Sequence, residues 1–202
     1  MTDLERRLAV VGRQTLDLAA MKRAVARRAA DEGLLDVAYG TLDSPLGRLT
    51  VFVTPRGIVR LSYPDEPVAA QLEELALRVS PRILGATEAT DDVRRQLEAY
   101  FDGRLRRFDV AIDWRLVRGF AAGVLRATAE VPYGVLTTYR DVAIAAGSPR
   151  AARAAGNALG SNPIPIVVPC HRVVHAGGGI GGYTGGLARK RFLLELEGSL
   201  PS

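Results

Sequence analysis

The hydrophobic and polar positions divide the chain into three segments. In residues 1–35, Leu4, Leu8, Val11, Leu18 and Val25 recur at three- to seven-residue steps with Arg, Lys and Asp between them, the pattern of an amphipathic helix. Gly12 weakens the pattern and Gly33 ends it. This helix is expected to pack on its own domain, with a helical partner or dimer contact as the alternative. Residues 36–115 read as α+β. Asp36–Thr41, Leu49–Thr54 and Ile58–Tyr63 are short runs rich in Val, Leu, Phe, Tyr and Thr, and they predict strands. Ser44-Pro45-Leu46-Gly47 and Pro55-Arg56-Gly57 between them are turn chemistry. Helical periodicity follows over Val68–Val79 and Asp91–Phe101, the second ending near Gly103. No catalytic constellation is legible in this segment. It has no Cys or His, and its carboxylates read as solvated helix faces.

Residues 116–202 change character: Ala, Gly and Pro dominate, and the helices should be short and closely packed. Phe120–Ala129 predicts a helix, although Gly123 costs it about 1 kcal/mol relative to Ala. Val131-Pro132-Tyr133-Gly134 reads as a turn. Tyr139–Ala146 predicts a helix stopped by Gly147. Pro149 can occupy the first turn of the next helix, with Ser148 as its N-cap. That helix is expected from Arg150 to about Leu159, and the pair has the form of a helix-turn-helix. Its second helix carries Ala151, Ala152, Ala154, Ala155 and Gly156, with Arg153 as the one long side chain in its middle. So bare a helix can approach a surface closely. Short helix pairs also serve simply to pack a core, so the pattern alone leaves nucleic-acid binding open.

Composition adds bounds. The chain has 202 residues, 48% apolar and 24% charged, which is ordinary for a globular protein. Its length fits one large or two small domains. No run is long and apolar enough for a membrane span, and the first residues lack the pattern of a secretory signal, so a cytoplasmic location is expected. The net charge of +5 is unevenly placed: +1 over residues 1–36, −1 over 37–115 and +5 over 116–202. A basic domain beside a neutral one suggests a polyanionic partner, nucleic acid first. Coding bias is the competing explanation, since only 2 of the 27 basic residues are Lys.

The chemistry concentrates in Asn162-Pro163-Ile164-Pro165-Ile166-Val167-Val168-Pro169-Cys170-His171-Arg172-Val173. Three prolines in an apolar run exclude a helix interior or a central strand. The segment delivers the chain's one cysteine next to a histidine. One cysteine excludes an internal disulfide and a multi-cysteine metal site. A thiol of ordinary pKa is only a few per cent thiolate at pH 7, and an imidazole oriented by a carboxylate can take its proton. The histidines are His171 and His175, and the carboxylates of this domain are Glu130, Asp141, Glu195 and Glu197. Cys170, His171 and one C-terminal Glu could form a relay, but neighbours in an extended segment point to opposite sides, so a turn or a bridging water is required. The bland alternative is an inert buried cysteine.

Asn162-Pro163 through Pro169-Cys170-His171-Arg172-Val173, then Gly181–Gly186 with Tyr183 and Thr184, then Lys190 and Glu197, resemble the O6-alkylguanine-DNA alkyltransferase (methylated-DNA–protein-cysteine methyltransferase) family. The resemblance spans Phe120 to Gly198, and more weakly residues 37–113. It implies a small ribonuclease-H-like domain over 36–115, then a mostly helical helix-turn-helix domain over 116–202 for DNA binding and alkyl transfer. Residues 1–35 form an extension outside the pattern. The implied activity is direct-reversal DNA repair: irreversible, one-turnover transfer of the alkyl group of O6-alkylguanine to Cys170, with O4-alkylthymine as a second candidate substrate. By the same resemblance, His171 acts as base through water, Glu197 orients it, and Asn162 ties the recognition helix to the active-site turn. Tyr139 gives a proton to the leaving purine, and Arg153 fills the stack behind the flipped nucleotide. Ser148, Ala152, Ala154 and Gly156 would lie against DNA in the minor groove. Val173, Tyr183, Thr184, Lys190 and Pro165 would form the base pocket. No cofactor and no metal are implied, and one Cys with two His excludes the zinc that some members carry. The partner is double-stranded DNA bearing alkylated guanine, bound by a monomer or by molecules clustering along it. Ala121 replaces a polar residue common in the family, and the Ala176-Gly177-Gly178-Gly179 loop is unusually bare. Two other classes compete. A lesion-sensing DNA binder would leave Cys170 inert, and a cysteine hydrolase would need an oxyanion hole and a His placed directly on the thiol.

Overall fold

The computed structural model describes residues 17–177 and 179–200. In the first domain the strands are β1 (Val37–Ser44), β2 (Gly47–Thr54) and β3 (Gly57–Ser62), joined by the two tight turns that the Pro and Gly residues predict. They form an antiparallel meander, and β4 (Ile83–Gly85) adds parallel to β1, giving the order β3-β2-β1-β4. Helix α2 (Val68–Arg78) makes the crossover from β3 to β4, and α3 (Asp91–Phe101) follows. The predicted strands and helices of this domain are present; β4 is an addition, three residues long and two after Pro81.

Side chains of a strand alternate between its faces, and here both faces are covered. Phe52 and Val59 look to one side, where Leu75 of α2 and Leu116 complete a small cluster. Val51, Val53 and Leu61 look to the other, and their cluster runs through Leu97 and Tyr100 of α3 into the second domain. The domains thus share one apolar core. Edge strand β3 also bonds to later parts of the chain. Ile58 exchanges backbone bonds with Ala111 and Asp113, and Leu61 N donates to Pro163 O at 2.9 Å. The sheet edge therefore holds the start of the Pro-rich segment.

The second domain contains α4 (Gly119–Ala129), α5 (Tyr139–Ala145), α6 (Ala152–Gly160) and α7 (Leu187–Leu196), with a two-residue parallel pair, β5 (Thr137–Thr138) and β6 (Val173–Val174). Helices α5 and α6 are the predicted pair, with one correction. Ser148 is not the N-cap. Its carbonyl accepts from Ala151 N in a turn, and α6 begins two residues beyond Arg150 with Ala151 at its cap. Upstream, α1 (Leu18–Asp31) lies on the first domain through buried Ala26 and a two-bond Arg27–Glu88 pair, and leaves Leu18, Met21 and Val25 exposed. The remainder of the predicted N-terminal helix, including Leu4, Leu8 and Val11, lies outside the described residues.

Candidate active site

Cys170 begins a single 3-10 turn, Cys170–Arg172, at the end of the Pro-rich segment. That turn resolves the opposite-sides problem, because three consecutive residues now fan out from one centre. The segment before it is fixed by Asn162. Its Oδ1 accepts from Ile164 N at 3.0 Å, and its Nδ2 donates to Val168 O at 2.9 Å and to Cys170 Sγ at 3.1 Å. Ile166, fully buried, sits at φ +73°, a left-handed backbone rare for a β-branched residue. Such a conformation costs about 1–3 kcal/mol and persists only where its surroundings impose it. Here the flanking prolines and the core do so.

One flank of the turn is open. A cavity of about 650 Å³ has Cys170 in its lining, with Tyr139 of α5, Ala152, Arg153 and Gly156 of α6, His175, and Tyr183 and Thr184 from the loop before α7. Small-molecule sites commonly measure about 300–1,000 Å³. Tyr139 is aimed into it because Thr138 caps α5 in a capping box with Asp141. Asp141, one of the candidate relay carboxylates, is thereby committed elsewhere. Burial raises the Tyr139 hydroxyl above its ordinary value, so it stays a proton donor at neutral pH. Gly181 adopts φ +73°, and a Cβ there would come within 2.6 Å of that hydroxyl. Thr184 Oγ1 donates to Gly160 O at 2.6 Å, tying the loop to the end of α6. Arg153 and Ala154 are exposed on α6, while Ala155, Ala158 and Leu159 are buried.

The other flank is closed. His171 and Glu197 are buried, and His171 Nε2 meets Glu197 Oε1 at 2.9 Å. Arg172 donates to both carboxylate oxygens, at 2.8 and 2.9 Å, and Gly134 N donates to Oε2 at 3.3 Å. Tyr100 of the first domain donates to Oε1 at 2.7 Å. Burial pushes the Glu197 carboxyl up, but the hydrogen bonds from His171 and Arg172 outweigh it and hold the group well below the carboxylate range. An ionised carboxylate only accepts, so His171 Nε2 carries the proton and Nδ1 holds a lone pair. That Nδ1 is buried with no hydrogen-bond partner among the described residues. Burial also holds His171 below its ordinary value, against the pull of Glu197, so it is neutral at pH 7. Cys170 is its counterpart: burial pushes the thiol up to about 11, with the Asn162 bond and the Lys190 charge pulling the other way. The thiol is protonated at neutral pH, and the arrangement can react only with a base to receive that proton.

The structure brings together Cys170, Tyr139, Arg153, Ala152, Gly156, Tyr183 and Thr184 around the cavity, with Asn162 bonded to the Cys170 sulfur and His171 and Glu197 in the buried network beside it. Val173 and Lys190 are fully buried outside its lining: Lys190 Nζ donates to Val173 O at 2.6 Å and to Gly182 O at 3.2 Å, bracing the wall. Pro165 lines a neighbouring groove instead. Glu130 and Glu195 do not enter the network. Sequence reasoning missed Tyr100, the clamp by Arg172, and Tyr63, whose hydroxyl pairs with that of Tyr183 at 2.6 Å. The first domain, read as devoid of chemistry, therefore reaches both flanks.

Residues 37–114 match the ribonuclease-like domain, and 119–199 the DNA-binding domain, of 6-O-methylguanine DNA methyltransferase. The chain is 42% identical over 164 residues to the methylated-DNA–protein-cysteine methyltransferase of Mycolicibacterium paratuberculosis, covering 80% of this chain and 92% of that protein. The chain belongs to the methylated-DNA–protein-cysteine methyltransferase family. Another methylated-DNA–protein-cysteine methyltransferase, from Methanosarcina acetivorans, is 49% identical over 161 residues, covering 80% of this chain and 98% of its own. A crystal structure of Mycobacterium tuberculosis OGT in complex with DNA superposes with a TM-score of 0.68 at 39% identity, covering 82% of this chain and 96% of that one.

Proposed function

We propose that the cavity receives an alkylated guanine turned out of duplex DNA and that Cys170 takes the alkyl group from its O6 oxygen. Family membership makes the chain a DNA-binding repair methyltransferase acting by direct reversal. The observation that carries the residue-level reading is the position of Cys170, between an open cavity walled by a bare helix and a buried histidine with an unpartnered nitrogen. A target atom inside a duplex must be extruded, at a cost of a few kcal/mol that is smaller for a lesion that pairs badly. Ala152, Ala154 and Gly156 let α6 approach the minor groove, and Arg153 stacks where the nucleotide was, which offsets part of that cost.

The Cys170 proton passes through a water to His171 Nδ1, and the Glu197 carboxylate stabilises the resulting imidazolium. The sulfur attacks the alkyl carbon, the carbon–O6 bond breaks, and its electron pair stays with the purine. Tyr139 gives the purine ring a proton, so guanine leaves neutral. The backbone at Cys170 and Thr184, both in the cavity lining, reads the base edge. The thioether is stable and no neighbouring group can displace it, so each molecule acts once. The chain works on DNA as a monomer, inside the cell.

Incubation with duplex carrying O6-[methyl-³H]guanine should place one equivalent of label on Cys170, and Cys170→Ala should take none. Tight lesion binding with the thiol still titratable would replace this reading with that of a lesion sensor. Turnover of an ester or amide would favour a hydrolase.

A further inference from the structure

The first domain contributes a hydroxyl to the centre of the buried network, and the mechanism above does not use it. Tyr100 is fully buried on α3, one turn after Leu97 and two after Val93 on the helix's apolar face. Its ring is held by Phe101, Phe108 and Tyr133, with centroids 5.3–6.1 Å away. Its hydroxyl reaches across 97 residues of sequence to Glu197 Oε1, the same oxygen that meets His171 Nε2. We infer that Tyr100 is a positioning residue that withholds part of the Glu197 charge from His171 and so sets the pH range over which Cys170 can be deprotonated.

The donors on this oxygen compete. Oε1 accepts from Tyr100, His171 and Arg172 together. Each added donor disperses the oxygen's charge and weakens its pull on the others. Less pull from Glu197 means less stabilisation of imidazolium, so His171 stays neutral with Nδ1 free to lower pH. Burial, together with the Glu197 charge, drives the Tyr100 hydroxyl far above its ordinary value, so it donates at every relevant pH. The other charged and titratable groups around His171 are Arg172 on its own turn, Lys190 of α7 and Cys170. Tyr133 lies under the Arg172 guanidinium, 5.9 Å from it, and donates to Leu196 O, not to Glu197. Tyr100 is therefore the neutral side-chain donor, on the same oxygen as His171, whose removal alters the Glu197–His171 balance without changing a formal charge.

The inference rests on the proposed transfer reaction, and two readouts separate the two. In the full chain, ¹⁵N NMR of the two histidine rings reports tautomer and titration of His171 directly, with His175→Gln providing the assignment. Tyr100→Phe keeps the ring and removes the hydroxyl. It should raise the His171 titration by roughly half to one pH unit while the Nε2-protonated tautomer persists. The acid limb of the single-turnover methyl-transfer rate should move up by the same amount, giving about a three- to tenfold loss on that limb and little loss at pH 8. A purely structural tyrosine would slow transfer equally at all pH values, or leave both curves in place. Either result with wild-type transfer intact overturns the inference. A shifted titration in a protein whose wild type transfers no methyl would overturn the proposed function and leave the Tyr100–Glu197–His171 coupling standing.

Discussion

The two flanks of the Cys170 turn are built on opposite principles. On the cavity side, Tyr139 makes one long hydrogen bond of 3.4 Å, Arg153 is exposed, and α6 presents Ala and Gly. On the closed side, one carboxylate collects donors from His171, Arg172, Tyr100 and Gly134, all at fixed distances. On the open flank the tight bonds, Thr184 to Gly160 and Tyr183 to Tyr63, tie the wall to its own scaffold, and Arg153 stays exposed toward the cavity. The closed flank buries a carboxylate against a guanidinium, so losing either Glu197 or Arg172 leaves a buried charge unpaired. Asn162 belongs to both, because it ties the sulfur to the backbone of the rigid segment.

The largest break in this contrast should come from Glu197→Ala, which leaves the buried Arg172 guanidinium without its counter-ion. Chemical denaturation should show a loss of about 3–5 kcal/mol. Arg153→Ala, on the open flank, should stay within about 0.5 kcal/mol of wild type. Comparable losses in both variants would erase the distinction. Acid comes next. His171 and Glu197 both hold folded values below their ordinary 6.5 and 4.5. The unfolded chain therefore binds more protons in that range, and their contribution to stability is present above pH 6.5 and lost as pH falls. Melting temperature should decline from pH 7 toward pH 4; a flat profile would mean that the closed flank tolerates protonation. A smaller effect, confined to function, is expected for Arg153→Ala. Transfer from duplex should drop about tenfold, a fraction of the flipping cost, while reaction with free O6-benzylguanine is unchanged. Equal losses on both substrates would contradict the wedge role. The smallest is Tyr63→Phe, which removes the Tyr183 contact and should lower stability by about 1 kcal/mol.

Legibility in the sequence depended on range. Asn162, Cys170 and His171 lie within ten residues, and the prolines between them restrict the backbone so strongly that their proximity could be argued locally. The helix pair was legible for the same reason, although a Ser148–Ala151 turn took up the carbonyl that the expected helix start required. Glu197 had to be chosen from four carboxylates, which the residue pattern alone left open. Tyr100 carried no signal at all. Along α3 it occupies an apolar position of an ordinary amphipathic helix, and its hydroxyl acquires a role only when the second domain folds against that face. Strand β4 was missed because three residues beyond a proline cannot establish an alternation.

Ile166 has a consequence for anyone redesigning this protein. Judged by its backbone dihedral, position 166 calls for glycine; judged by its surroundings, it calls for a large aliphatic side chain with no exposed surface. A sequence optimised position by position on backbone preference would choose glycine, gain local comfort, and open a void in the buried cluster to which Cys170 also belongs. The position marks where a consensus of local rules would trade core packing for backbone ease.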